Sequence, residues 1–353
     1  MEIIVPKEER YNGLDGLRAV ASIGIILMHL LANGKYELGG FLFDSIIPSF
    51  THFVYLFMII SSFSMCCGYY DKVTTGSITP SQFYSKRFAK VLPYFALLTA
   101  ADLVISPSVE SLYEAFANIT CCFGLLPNAR ISVIGVGWFL GTVFVFYFMF
   151  PFFCYLISTK KRAWMTLLAA VLYHVLCKVY FFNEEHVLSG FVSRSNILYS
   201  GMFFVAGGLI YLYRETLVQW SIRLHWVFAI AALAAVAVCG FLDGNSFVNL
   251  VAYAVLLIYA MGCGEGTGLM NNAAVRFLSN ISLEMYLGHM LVFRVIEKTG
   301  IQRLFKSDVL RYWVIAALTV SGTIIFAVTA QWVLTKGKEW IVSKRSAAKK
   351  AAQ

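Results

Sequence analysis

Apolar residues fall into ten runs separated by short polar connections, near 14–34, 46–70, 88–109, 133–158, 163–182, 196–213, 223–242, 246–264, 280–299 and 311–335. Each run is close to the ~20 residues an α-helix needs to cross ~30 Å of hydrocarbon. The pattern predicts an all-α protein, a polytopic membrane helix bundle of about ten transmembrane helices. The third run is interrupted by Pro93 and Asp102. After it, residues 110–132 (ESLYEAFANITCCFGLLPNARIS) read as an amphipathic surface helix followed by a re-entrant turn. One membrane unit is expected over residues 1–335, with a basic cytoplasmic tail over 336–353.

Composition agrees with this solvent. Apolar residues make up 59% of the 353-residue chain and charged residues 13%, with a mean hydropathy of +0.73. A soluble domain carries about 25% charged residues, so a soluble enzyme is excluded. The first apolar run follows an acidic start and lacks a small-residue cleavage site, so no cleaved signal peptide is expected. With the N-terminus placed inside, eighteen Lys and Arg lie in inner connections and the tail, against nine outside. That bias puts both termini in the cytoplasm. The basic cluster from Arg294 to Arg311 runs against it and predicts either an anion-binding loop or a local slip of the map. The net charge of +9 therefore reads as membrane topology, with a tail that faces anionic lipids, and not as nucleic-acid binding. The eight cysteines lie mostly within apolar runs and show no zinc spacing, so no metal site is expected.

Several polar residues sit where they are costly. The stretch LDGLRAVASIGIILMHLLANG, residues 14–34, carries Asp15, Arg18 and His29 inside a membrane helix. Arg18 and His29 are about three helical turns apart, ~16 Å of rise, on nearly one face. Asp15 and Ser22 fall on the same face. A charged side chain at the bilayer centre costs at least ~2.5 kcal/mol on insertion scales, so a stripe of four predicts a lined cavity. Taken singly, Arg18 could equally snorkel to lipid phosphates, and His29 could hydrogen-bond a neighbouring helix.

In the ninth run, Ser282, Tyr286 and His289 share one face. His289 reads equally as an interhelical hydrogen-bonding group or a functional one. Glu284 lies about 140° around the helix from His289 and reads as a snorkelling carboxylate. Before the third run, Lys86, Arg87 and Lys90 form a basic face, either a membrane anchor or a site for a phosphate-bearing cytosolic ligand.

The segment LDGLRAVASIGIILMH resembles the opening signature of the acyltransferase-3 family, integral-membrane O-acyltransferases that modify surface glycans and other hydroxylated acceptors. FYSKRFAKVLPYF is similar to that family's basic segment, GWFLGTVFVFYFMFP to its tryptophan-led motif, and NISLEMYLGHMLV to its late Ser…Tyr-Leu-x-His motif. They occur in family order. This chain departs in having Arg87 followed by Lys90 where the family usually has two arginines, and Ser61-Ser62-Phe63 where it has Ser-Gly-Phe. It also lacks the carboxylate that often follows the tryptophan motif.

The resemblance implies an acyltransferase domain over 1–335 in a bacterial cytoplasmic membrane, with acetyl-coenzyme A or another acyl-CoA as donor and no tightly bound cofactor. Membrane lipids surround it, and a glycan or lipid-linked saccharide is the acceptor. Arg87, Lys90, Lys86 and Trp138 would bind the donor. His29 would be the general base, Arg18 would hold the donor or polarise its carbonyl, and His289 and Tyr286 would orient the acceptor. Direct transfer and an acyl-enzyme shuttle both stay open. So does a different class, a transporter or flippase for a lipid-linked sugar or anionic substrate, for which His174 and Lys178 would mark an anion path. Against it, the sequence shows no internal repeat and no matched pair of Gly/Pro-broken helices. A sensory or scaffold protein is the third reading, and it leaves a buried polar stripe without purpose.

Overall fold

The computed structural model describes residues 11–105, 107–126, 135–241, 245–264, 268 and 270–351. Its regular elements are helical: α1 (Leu14–Asn33), α2 (Phe53–Thr74), α3 (Pro80–Ile105), α4 (Val109–Ile119), α5 (Trp138–Leu156), α6 (Lys160–Leu176) and α7 (Ile197–Leu212). They continue with α8 (Arg214–Arg223), α9 (His225–Phe241), α10 (Ser246–Met261), α11 (Ala273–Asn280), α12 (Ser282–Lys298) and α13 (Asp308–Ala351). Among the described residues, six helices are long and apolar enough to cross a membrane, or seven if α7 and α8, bent by 79° at their junction, form one broken span. The apolar helices His225–Cys239 and Ser246–Met261 are shorter, and α12 has 17 residues.

Helix α1 occupies the middle of the bundle. It packs against α2, α10, α11, α12 and α13, and Gly16, Ala19, Ala21, Gly24 and Ile25 are all buried. Small residues let neighbouring backbones approach, which gives one helix room for so many partners. Asp15 and Ser22 are buried with them, at 3% and 0% exposure. The polar face is thus turned inward, away from lipid.

The most extensive helix pairing among the described residues is α2 with α7. Its contact depends on Gly207, where an added Cβ would lie 2.3 Å from the Ile59 carbonyl oxygen and 2.9 Å from the Ser62 Cβ. Ser62 stands where the resembling family has glycine. Close backbone approach is kept here because the facing helix supplies the glycine. Aromatic rings fill the rest of this interface: Tyr55 stacks on Phe203 with centroids 4.1 Å apart, and Phe146 of α5 on Phe204 at 4.2 Å.

Elsewhere the polarity pattern sorts helices outward. On α6, Trp164, Met165, Leu168 and Leu172 are exposed, a lipid-facing stripe. The expected surface helix is α4, capped by Ser108, whose Oγ accepts from the Ser111 amide at 3.0 Å. It exposes Val109, Leu112, Tyr113, Phe116 and Ile119 along one side. The re-entrant turn expected after it falls largely on residues 127–134, outside the described ones. Pro93 lies inside α3 and Asp102 pairs with Arg294 of α12 at 4.0 Å. Arg311 pairs with Asp308 at 2.7 Å and donates to the Lys35 carbonyl. Two cations of the anomalous basic cluster are therefore held by protein carboxylates.

Gly207→Ala is expected to destabilise the bundle by about 1–3 kcal/mol through overpacking. Gly201→Ala, on the same helix with nothing within 4 Å of its added Cβ, is the neutral control. Thermal loss of the monodisperse peak in fluorescence-detected size-exclusion chromatography reads the difference.

Candidate active site

One end of the bundle holds a half-open cavity of about 1210 Å³ between α1, α2, α3, α5, α12 and α13. Its cations come from separate helices: Arg18 from α1, Arg87 and Lys90 from α3, and Lys338 from α13. Asp15 and Glu284 are its carboxylates, and Ser61, Ser64, Ser279 and Ser282 add hydroxyls. Pro93 has no N–H to give the Ala89 carbonyl one turn back, and both residues line this wall.

Arg18 is fixed in place. Its Nη2 donates to Ser64 Oγ at 2.6 Å, and its Nη1 lies 3.5 Å from Asp15 Oδ1. Asp15 in turn accepts from Ser279 Oγ at 2.7 Å. Arg87 lies against aromatic faces, its guanidinium carbon 4.8 Å from the Tyr147 ring centroid and 5.7 Å from that of Tyr69. Its Nη2 donates to the Tyr147 hydroxyl at 2.8 Å, while its buried Nε has no hydrogen-bond partner among the described residues. Arg87 lines the cavity, and a guanidinium held there suits an anionic ligand. Lys90 lines the cavity one turn further along α3, whereas Lys86 is exposed and outside the lining.

Glu284 does not snorkel. It is buried at 9% exposure, and its Oε1 accepts from Gln331 Nε2 of α13 at 2.8 Å. Facing α13 lets it reach a partner without leaving the bundle. Helical angle alone separates Glu284 from His289 but is silent on which neighbour fills that side, so sequence reasoning missed both Glu284 and Gln331.

The stripe on α1 is also divided rather than shared. Asp15 and Arg18 face the cavity. Ser22 turns back onto its own helix, donating to the Arg18 carbonyl at 2.8 Å. His29 belongs to a second centre, where its Nδ1 lies 3.1 Å from Nε2 of His289, 260 residues away in the chain.

The partners of His289 assign its protons. Its Nδ1 is 2.8 Å from the Tyr286 carbonyl and 3.3 Å from that of Met285. A carbonyl only accepts, so in the neutral ring Nδ1 carries the hydrogen and Nε2 the lone pair. His29 must then donate its Nδ1–H to that lone pair. In the neutral pair, the basic nitrogen left over is Nε2 of His29. His289 is fully buried and His29 half-buried, so the more accessible ring holds the basic nitrogen.

Between cavity and histidines stands an aromatic collar. Tyr286 lies edge-on to Phe139 at 5.4 Å and to Phe57 at 6.2 Å, and all three rings line the cavity. The Tyr286 ring is 6.3 Å from that of His289. Its hydroxyl donates to the Val136 carbonyl at 2.8 Å, which fixes the ring as a wall. On the histidine side, Arg194 lies 5.1 Å from the Trp138 ring centroid and donates to Thr51 Oγ1 at 2.6 Å. Trp138 thus stands with Arg194, outside the cavity lining.

His174, singled out with Lys178 by the transport reading, is buried with its Nδ1 on the Tyr199 carbonyl at 2.7 Å and its ring against Tyr199 and Phe247. It is packed as part of the α6–α7 contact. Lys178 is exposed.

A family profile described as an acyltransferase domain matches residues 11–330. That span takes in α1 to α12 and most of the apolar part of α13. Neither a search of curated proteins nor one of solved structures finds a match.

The tautomer assignment predicts unequal reactivity of the two rings. Diethylpyrocarbonate, which attacks an unprotonated imidazole nitrogen, is expected to modify His29 and spare His289 in the folded protein. Peptide mass spectrometry before and after denaturation checks this; equal labelling of both in the folded state contradicts it.

Proposed function

This chain belongs to the acyltransferase-3 family, and we propose that it moves an acyl group, acetyl in the first instance, from a cytosolic acyl-CoA to a hydroxyl of a cell-surface glycan or lipid-linked saccharide. In this reading it sits in a bacterial cytoplasmic membrane with both termini in the cytoplasm. Counting the shorter helices α9, α10 and α12 together with the α7–α8 pair as spans gives ten crossings.

One observation carries the reading: a cation-lined cavity ends at an aromatic collar behind which stands a hydrogen-bonded histidine pair with one basic nitrogen. Arg87 and Lys90, both lining the cavity, suit the phosphates of the donor. Arg18 is already engaged by Asp15 and Ser64, which favours a holding role over motion toward the reacting carbon. The pantetheine arm extends inward to the collar and presents its thioester there.

A thioester is already activated, so the protein needs only to deprotonate the acceptor and stabilise the oxyanion. His29 Nε2 accepts the proton of the acceptor hydroxyl as its oxygen bonds to the acyl carbon. The carbon–sulfur bond then breaks, and the proton passes to the departing thiolate. His289 keeps the lone pair of His29 on Nε2 and, by accepting from its Nδ1–H, stabilises the imidazolium.

The test follows labelled acetyl from acetyl-coenzyme A into base-labile ester in membranes bearing each variant. His29→Ala is expected to lower transfer by about 10²–10⁴-fold, the usual range for a lost general base. Arg18→Ala should lower kcat/KM by roughly tenfold or more. His289→Gln, whose amide oxygen can still accept from His29, should keep more activity than His289→Leu. Full transfer by stably inserted His29→Ala would sink the assignment of the base.

A further inference from the structure

Helix α13 continues from the apolar stretch into the basic tail without a break, through Asp308–Ala351. Gln331, Leu334, Thr335 and Lys338 of this helix line the cavity. Their spacing of three, one and three residues places them on one helical face. What composition separates as a membrane span and a lipid-facing tail is, on this side, one wall.

The two lysines of that turn differ. Lys336 is directed away from the cavity and is neutralised by Glu339, its Nζ 2.9 Å from the carboxylate. Lys338 lines the cavity, and no carboxylate lies within 4.0 Å of it among the described residues. Lys338 is also seven residues beyond Gln331, which bonds Glu284 deeper in the bundle. At 1.5 Å per residue, that puts it about 10 Å further toward the cavity mouth.

We propose that Lys338 is a specificity-determining residue of the donor site, reading the 3′-phosphate of the coenzyme A nucleotide. The inference rests on the acyl-CoA reading of the cavity given above. A donor whose pantetheine arm points to the collar leaves its nucleotide at the mouth, where Lys338 stands. Arg87 and Lys90 lie on α3 across the cavity and are left for the diphosphate. The 3′-phosphate is a monoester with about −1.5 to −2 charge at neutral pH, and a mobile lysine meets it as a point charge.

The test uses the full chain in nanodiscs of phosphatidylcholine, so that no anionic lipid competes for Lys338. Radiolabelled acetyl-coenzyme A is displaced by coenzyme A and by 3′-dephospho-coenzyme A, and the ratio of the two affinities is read. Because a ratio is used, the folded fraction of each variant cancels. Wild type is expected to favour coenzyme A by about tenfold, the value of one charge-assisted contact. Lys338→Ala should bring the two ligands within about twofold of each other, with Lys338→Arg and Lys336→Ala both near wild type. A wild-type preference that survives in Lys338→Ala overturns the inference, as does equal binding of both ligands by wild type. If wild type fails to bind labelled acetyl-coenzyme A at all, the donor reading itself falls and takes this inference with it.

Discussion

A helix that carries Asp15, Arg18, Ser22 and His29 along one side cannot turn that side to hydrocarbon, because nothing in lipid satisfies a charge or an imidazole. That constraint places α1. The first helix of the chain becomes the axis of the bundle, and five others close around it. Three of these polar groups then find partners on three different neighbours, while Ser22 bonds back to its own helix. Arg18 finds Ser64 on α2, Asp15 finds Ser279 on α11, and His29 finds His289 on α12. The site is thus made by the same contacts that keep the helix out of lipid.

The hydrophobic pattern made the all-helical membrane architecture legible, as did the surface helix at Val109–Ile119. Motif order was equally legible, because a family signature is local in sequence. What lay hidden was pairing between helices. A helical wheel puts Arg18 and His29 on one face but does not say that different neighbours divide that face between a cavity and a histidine pair. Glu284 carried no signal because its partner, Gln331, is an unremarkable residue inside an apolar run. Lys338 was read with the tail, since charge composition changes at that point while the helix does not. The substitution at Ser62 looked like the loss of a close approach, and the compensating glycine was on a helix far away in the chain. In each case the missing information is tertiary.

Two centres with different chemistry sit on either side of the Phe57–Phe139–Tyr286 collar. One is cationic, roomy and rimmed with hydroxyls, as befits a polyanionic ligand. The other is built around two hydrogen-bonded imidazoles, with Arg194 lying on Trp138 nearby. Where the two meet stands the ring of Tyr286, held by its own hydrogen bond to the Val136 carbonyl. In the acyl-transfer reading proposed above, the long, flexible arm of the donor brings the thioester to this ring.

The collar also bears on the energetics of the membrane itself. A roomy, cation-lined cavity that reaches into a membrane bundle is a route for ion leakage unless its inner end is closed, and each elementary charge moved across 100 mV releases about 2.3 kcal/mol. Three neighbouring aromatic rings offer an ion no hydration shell and no counter-charge. In the reading proposed above, the rings that meet the thioester of the donor are also electrical insulation, closing the inner end of the cavity to ions.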